Sequence, residues 1–314
     1  MDVLDGLPAQ RNASKVNVSE LNEMVAAVGL PDPGMRGTFA DKLKLQVVQD
    51  AEVLQALEAA LLGKAAEAEE AAKAVRSICI TAAAAAAVSK GRVGRALCQA
   101  LSQQREPAAL AWVLAAVVRL LQHPETHREL SRAGVAEALA RHTLPAAGAA
   151  TTGKPLLRMY LIAACGLAFI SETAGPDVTA RVPLRAIQEF VPILQRRFLV
   201  SDPEEVVSAR MFCGLPVFYR TRFVMQVLAN LVEKSAAHAA VAWQTELPEI
   251  VFDVLEGSLP NDTEDNQPYG SPDVVEMAGK CRSALLARSR GAAADPARVA
   301  ALRSAPGAPP GAWE

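Results

Sequence analysis

Hydrophobic and polar positions along much of the chain follow the 3.6-residue period of an α-helix, and the clearest example runs from Ala108 to Arg141. It starts with a long apolar stretch, Ala108–Gln122, which is typical of a buried helix. The polar connector H-P-E-T-H follows. A short helix should then end at Gly134, because glycine adopts the left-handed conformation at little cost. A further helix is predicted from Val135 to Arg141, and the rest of the chain repeats this rhythm.

Two apolar anchor positions recur four times. One lies late in a long helix, and the other opens the helix after a short connector. The anchors of each pair are 15, 15, 15 and 16 residues apart, and successive pairs are separated by 42, 47 and 64 residues. A period in the low forties is typical of a helical repeat array. The four pairs are Ile78 and Val93, Leu120 and Val135, Leu167 and Val182, and Leu231 and Leu247.

The longest interval between pairs has room for one additional helix. The sequence Ser201-Asp202-Pro203-Glu204-Glu205 is a helix start, with a capping residue, a proline in the first turn and acidic residues near the positive end of the helix dipole. That helix should run to Cys213 and stop at Gly214-Leu215-Pro216.

Composition favours an all-α fold. Alanine, the best helix former, makes up about a fifth of the 314 residues, and aromatic residues only 4%. The net charge of −2 gives no field that would attract nucleic acid. The apolar runs are shorter than the roughly 20 residues that span a bilayer. Five cysteines without a C-x-x-C spacing are expected to be free thiols in a reducing compartment, and the chain is expected to be cytosolic.

The repeated segments resemble the armadillo and HEAT families of α-solenoids. The resemblance is carried by V-L-A-A-V-V-R-L-L with L-S-R-A-G-V-A-E-A-L (Val113–Leu139) and by V-L-A-N-L-V with L-P-E-I-V-F-D-V-L (Val227–Leu255), and it covers roughly residues 50–257. It implies an all-α, right-handed superhelical solenoid whose third helices line a concave groove. It also implies a scaffold or adaptor rather than an enzyme.

Asn230 falls on the groove asparagine of the A-L-x-N-L motif in these families, whereas the equivalent positions hold Ser77, Arg119 and Gly166. Gln226 stands where nuclear-import adaptors carry a tryptophan. This departure argues against a receptor for nuclear localisation signals.

Three segments follow from these patterns. Residues 1–38 form a lead-in with one short helix, Glu20–Val28. Residues 39–290 form the repeat domain, closed by a capping helix at Pro272–Arg288. Residues 291–314, rich in Ala, Pro and Gly, are expected to be disordered.

Candidate chemistry is sparse. Gly148 to Pro155 reads G-x-x-x-x-G-K-P, but a nucleotide-binding P-loop needs Ser or Thr in the last place and a preceding strand, so we interpret it as a loop. His123 and His127 are four residues apart, but Pro124 separates them, and a solvated helix start is favoured over a metal site. No arrangement of catalytic residues stands out. We therefore expect no catalysis, cofactor or metal.

The predicted partner site consists of Arg119, Tyr219, Arg222 and Asn230. At 100° per residue, Tyr219 returns to within about 20° of Asn230 and Arg222 to within about 80°. Tyrosine, arginine and asparagine in a groove can bind an extended peptide backbone and its acidic side chains. We therefore expect an acidic or polar peptide on the concave face, toward the C-terminal half. Alternatively, these side chains are solvated or pack against Pro272–Arg288.

Three functions remain open from the sequence. The first is a general protein-binding scaffold. The second is a chaperone cofactor, since nucleotide exchange factors of Hsp70 include small armadillo-like proteins, and this is an analogy of fold only. The third is an enzyme or a regulatory subunit of an enzyme complex. The oligomeric state is likewise open.

Overall fold

The computed structural model describes residues 18, 45–143, 154–194, 211–213, 215–216, 221–259 and 269–306. Helices dominate these residues. In chain order they are α1 (Ala51–Leu61), α2 (Ala65–Ile78), α3 (Ala82–Lys90), α4 (Arg92–Gln103), α5 (Pro107–Leu121), α6 (His127–Arg132), α7 (Val135–Thr143), α8 (Lys154–Thr173), α9 (Pro176–Thr179), α10 (Arg185–Leu194), α11 (Thr221–Lys234), α12 (Ala236–Trp243), α13 (Leu247–Glu256), α14 (Pro272–Arg288) and α15 (Pro296–Ser304). A 3₁₀ turn, Pro124–Thr126, joins α5 to α6.

Short-range sequence signals set several helix ends. Asp50 caps α1, because its Oδ1 accepts the backbone N–H groups of Glu52 and Val53 at 2.9 and 3.3 Å. Gly134 separates α6 from α7 with φ of 81°, and Gly257 follows α13 with φ of 73°. Both glycines adopt the left-handed conformation that ends helices. The helix end predicted at Gly134 is therefore confirmed.

The long helices α2, α5, α8, α11 and α14 form one layer, in which each packs against the next. We call this the third-helix layer. The second helix of each triplet packs behind it, with α4 on α5, α7 on α8, α10 on α11, and α13 on α14. The repeating unit is thus a helical triplet, and the helices that carry the anchors Leu120, Leu167 and Leu231 lie in one layer. The helical repeat array predicted from the anchor spacing is confirmed.

The core lies between the third-helix layer and the helices behind it. The anchors Leu120, Leu167 and Leu231 expose 0, 2 and 1% of their surface, as the repeat spacing predicts. Gly166 lies where α8 packs tightly against Leu139 of α7 and Val118 of α5. A Cβ on this residue would stand 3.0 Å from Leu139 Cδ1 and 3.2 Å from Val118 Cγ2, so glycine permits the tight packing of α8 there.

The expected helix ending at Cys213 is wrong at its C-terminal end. Met211–Phe212 (β1) pairs antiparallel with Leu215–Pro216 (β2), and Cys213 between them has φ of 47°. This positive φ reverses the chain direction, which a helix cannot accommodate. The predicted all-α fold holds for the helical array, and this two-residue pair is the exception within the described residues. Residues 201–210 lie outside the described residues.

The C-terminal region also differs from the prediction of a disordered tail at 291–314. Residues 296–304 form α15, where Asp295 Oδ1 accepts the Ala297 N–H at 2.9 Å. Leu302 is buried with 1% exposure. The prediction of disorder was based on composition alone. It did not take account of the helix start at Asp295-Pro296 or of the apolar anchor Leu302. Pro272–Arg288 has the predicted bounds, but it packs on α11 as a fifth member of the third-helix layer and is followed by α15.

Two smaller points complete the comparison. Val182 is buried as expected, but it lies in the turn before α10, because Pro183 follows it and the helix begins only at Arg185. The predicted helix Glu20–Val28 falls outside the described residues. Within the described part of the chain, no helix is long and apolar enough to cross a membrane.

Candidate functional site

Each inner member of the third-helix layer has a helix on both sides and a second helix behind it, and no other described helix covers its remaining side. We call this side the open face. Its described side chains are wholly or partly exposed and include cations, aromatics and amides. They are Lys73 and Arg76 on α2, Trp112 and Arg119 on α5, Phe169 and Glu172 on α8, Arg222, Phe223 and Asn230 on α11, and Glu276 and Lys280 on α14.

Cationic side chains surround a tryptophan where α2 meets α5. Lys73 Nζ lies 5.3 Å and Arg76 Cζ 5.8 Å from the centroid of the Trp112 ring. Both distances fall within the range of attractive cation–π contacts. Lys73 also pairs with two carboxylates of its own helix, Glu69 and Glu70, each at 2.7 Å. We call Lys73, Arg76, Trp112 and Arg119 the basic cluster.

Arg119 completes the basic cluster from the C-terminal part of α5. Its Nη1 donates to Gln122 Oε1 at 2.7 Å, and its Nε is buried without a hydrogen-bond partner among the described residues. Burial lowers the pKa of the Arg119 guanidinium, and the neighbouring charge of Arg76 lowers it further. Burial likewise lowers the pKa of Arg76. Two guanidinium groups therefore share one half-buried region.

An aromatic pair lies further along the open face, where α8 meets α11. The ring centroids of Phe169 and Phe223 are 5.6 Å apart, with an angle of 64° between the planes. This edge-to-face arrangement is favourable for aromatic rings. Both side chains remain partly exposed and offer an apolar surface.

The four predicted site residues are only partly brought together. Arg119 is on α5, whereas Arg222 and Asn230 are on α11, with α8 between the two helices. Asn230 Nδ2 donates to Ser171 Oγ at 2.8 Å, so its amide also links α11 to α8. Tyr219 lies outside the described residues.

Equivalent repeat positions do not all belong to the open face. Ser77, Arg119 and Asn230 are partly exposed, but Gly166 is buried against Leu139 and Val118. Sequence reasoning missed the aromatic member of the basic cluster, Trp112. The sequence did contain an indication of Trp112, because it precedes Arg119 by seven residues. Seven residues are close to two full helical turns, so the two side chains lie on the same side of the helix.

The histidines join helices rather than forming a site. His127, expected to be solvated, is buried, because its Nδ1 lies 2.6 Å from Thr173 Oγ1 and its Nε2 lies 2.7 Å from the Leu121 carbonyl. His123 Nε2 contacts the Cys79 carbonyl at 3.2 Å. Burial lowers the pKa values of His142 and His238. No group of three potential metal ligands occurs among the described residues.

The P-loop-like segment, residues 148–155, is described only at its C-terminal end. Lys154 and Pro155 open α8, and the preceding element among the described residues is the helix α7. Residues 148–153 fall outside the described residues. The interpretation of this segment as a loop stays a prediction.

The thiols fit a structural role. Cys79, Cys98 and Cys281 are buried, and burial raises the pKa of Cys98 to about 12. Cys213 is partly buried next to α2. Burial raises its pKa to about 11, against the opposing effect of the Arg76 charge. Thiols with raised pKa values are poor nucleophiles at neutral pH.

No protein-family model matches the chain, and no curated protein matches it. Solved structures do match. An engineered protein, whose crystal structure comes from the Northeast Structural Genomics Consortium, has a TM-score of 0.51 at 15% identity, covering 87% of this chain and 98% of that chain. A designed armadillo repeat protein in complex with the peptide (KR)4 has a TM-score of 0.48 at 14% identity, covering 85% of this chain and 99% of that chain.

At 14–15% sequence identity, the similarity between these structures and the chain concerns the fold alone. The stacked triplets and the match to the engineered protein agree with the repeat spacing of the sequence. The chain therefore has an armadillo-like, all-α solenoid fold, and the expected resemblance is confirmed.

Proposed function

We propose that the chain is a non-catalytic binding scaffold whose open face takes an extended segment of a partner protein, acidic or polar in character. One observation carries the proposal. The basic cluster and the Phe169–Phe223 pair are partly exposed on the same layer of helices. Arginine and tryptophan are enriched among the residues that contribute most to protein interfaces.

The chemistry of the open face suits a peptide in extended conformation. Guanidinium groups form charge-assisted hydrogen bonds with carboxylates, and amides can pair with a peptide backbone. Arg119, Tyr219, Arg222 and Asn230 are the proposed contact residues. Because α5 and α11 hold Arg119, Arg222 and Asn230 on helices before binding, little conformational entropy is lost there when the partner docks.

A panel of labelled peptides tests the proposal. Acidic, neutral polar and basic peptides of equal length are titrated with the full chain, and binding is followed by fluorescence anisotropy. We expect saturable binding of the acidic or polar members, and weaker binding by the double variant Tyr219→Ala, Asn230→Ala.

The matched control is Arg95→Ala on the exposed side of α4, which should bind like the parent. Binding that is unchanged in a double variant with a normal thermal melt contradicts the proposed site. A panel in which no peptide binds contradicts the function itself.

A further inference from the structure

The β1–β2 hairpin lies close to a helix from the other end of the array. Burial raises the pKa of the Cys213 thiol between the two strands, and three side-chain charges act on it as well. These charges belong to Arg76, Glu69 and Lys73, all on α2. Because water and salt screen charges beyond about 8–10 Å, the hairpin and this part of α2 are neighbours.

The helix that follows the hairpin in the chain is far from α2. Cys213 precedes the start of α11 by eight residues, but α5 and α8 lie between α11 and α2 in the third-helix layer. Neighbouring helices are about 8–10 Å apart, so three steps make about 24–30 Å. Eight residues can span up to about 26–29 Å, which is close to this separation. The hairpin therefore contacts the N-terminal end of the layer instead of its own repeat.

The hairpin contacts α2 on the open face. Glu69, Lys73 and Arg76 are spaced by four and three residues, so they lie along one side of the helix. On that side, Lys73 and Arg76 also contact the Trp112 ring of α5. Cys213 is partly buried and packs against the hydrophobic core. The hairpin thus occupies the open face next to the basic cluster.

The hairpin depends on this contact for its conformation. Each strand has only two residues, and an isolated two-stranded hairpin is marginally stable at best in water. Cys213 has φ of 47°, a conformation that is unfavourable for a residue with a Cβ atom. Such strain persists only where the surroundings impose it, and it is common in segments that switch between two states.

We propose that the β1–β2 hairpin is an autoinhibitory element, which covers the α2 end of the open face and is displaced when a partner segment binds there. This inference rests on the proposed function and adds its regulation. The hairpin and the partner segment compete for one surface. The apparent Kd of the partner is therefore the intrinsic Kd divided by the fraction of molecules in which the hairpin is released, so a released fraction of about a tenth weakens binding about tenfold.

Two substitutions at Cys213 alter the hairpin without changing the helices. Valine is β-branched and disfavours a positive φ, whereas asparagine adopts it more readily. Cys213→Val should therefore release the hairpin, and Cys213→Asn should retain it. Both variants lack the thiol, so a difference between them reports the backbone conformation. Thermal melts check that the helical array is folded in each.

Binding is measured by fluorescence anisotropy with the full chain and two labelled peptides of equal length. One peptide alternates serine with glutamate, and the other alternates serine with glutamine. We expect Cys213→Val to bind about tenfold more tightly than the parent, which corresponds to about 1.4 kcal/mol, and Cys213→Asn to bind like the parent. A variant with residues 211–216 replaced by serine and glycine, at unchanged chain length, should bind like Cys213→Val.

The thiol itself reports the position of the hairpin in the parent protein. The reaction of Cys213 with N-ethylmaleimide is followed by mass spectrometry, with and without saturating peptide. A ligand that binds only the released form raises the population of that form. Peptide should therefore accelerate modification of Cys213 several-fold. Cys98 and Cys281, which are buried in the helical array, are internal controls whose rates should not change.

The outcomes separate this inference from the proposed function. Equal Kd values for the parent, Cys213→Val and the replacement variant contradict autoinhibition and leave the proposed function in place. Weaker binding by both variants, together with protection of Cys213 by the peptide, shows that the hairpin is a permanent part of the binding surface, which also overturns the inference. Binding by the released variants alone supports both proposals. Failure of both peptides to bind the parent and every variant removes the proposed function, and autoinhibition with it.

Discussion

Asn230 on α11 donates a hydrogen bond from Nδ2 to Ser171 Oγ on α8, over 2.8 Å. One turn further on, Lys234 Nζ donates to the carbonyl oxygens of Glu172 and Ala174, each at 3.0 Å. These carbonyls lie at the C-terminal end of α8, where helical carbonyls lack partners within their own helix. Asn230 thus belongs both to the open face and to the contact that holds two repeats together.

We predict that Asn230→Ala lowers the free energy of unfolding by about 1 kcal/mol, the usual value for one hydrogen bond. Because Ser171 is the partner, Ser171→Ala and the double variant complete a double-mutant cycle, measured by urea denaturation. The two effects should be non-additive. Additivity within about 0.3–0.5 kcal/mol means that the hydrogen bond contributes nothing, and any loss of peptide binding in Asn230→Ala then reports direct contact.

Leu120 gives a second prediction, about the core. It is fully buried on α5, so Leu120→Ala should cost about 2–5 kcal/mol through lost burial and the cavity left behind. Leu184, with 44% exposure, is the matched control, and Leu184→Ala should shift the melting temperature little. Similar melting temperatures for the two variants would mean that Leu120 does not anchor the repeat.

The repeat architecture was predictable because apolar residues that recur with the period of a helix mark the side of the helix that is buried. Each anchor leucine occupies the same place in its triplet, so its spacing along the sequence reveals the layer. The position of Asp50 as a cap was also readable, since capping is a local property of a few residues.

The site was less predictable because it depends on contacts between helices. Nothing in the local sequence shows that Lys73 and Arg76 of one repeat meet Trp112 of the next. The burial of His127 was also not predictable from the local sequence, because its partner Thr173 lies 46 residues away. The β1–β2 pair depends on a positive φ at Cys213. A cysteine in the sequence does not predict that conformation.

His238, which is buried, and His142, which is partly buried, give a third prediction, for the effect of pH. Burial lowers the pKa values of His142 and His238 from their ordinary value of 6.5. Neutral His142 can donate from Nε2 to the Leu101 carbonyl, 2.5 Å away. Below pH 6.5 the unfolded chain binds protons at these positions more readily than the folded chain. The stability they contribute is present above that pH and is lost as the pH falls through it.

Urea denaturation between about pH 7.5 and 5.5 measures this loss, in a range where histidine is the main titrating side chain. The double variant His142→Gln, His238→Gln should show a flatter dependence of the unfolding free energy on pH than the parent. A parent whose stability rises as the pH falls from 7.5 to 5.5 contradicts the prediction.

The last prediction concerns α15, the helix in a region that composition marks as disordered. Leu302 is buried, and Arg298 on the same helix donates to Glu249 of α13 from Nε at 2.5 Å. In a repeat array each element depends mainly on its neighbours, so loss of the Leu302 anchor should release α15 while the central triplets stay folded. We therefore predict that Leu302→Ala accelerates amide hydrogen exchange in Pro296–Ser304 and leaves α5 unchanged.

The matched control for this prediction is Arg303→Ala, because Arg303 is the exposed neighbour of Leu302 on the same helix. It should leave exchange in α15 near the parent rate. Fast exchange of α15 in the parent protein itself would show that Leu302 does not anchor the helix. Faster exchange in both α15 and α5 of Leu302→Ala would instead show that the C-terminal helix unfolds together with the whole array, so that stability passes through every repeat interface rather than only the last.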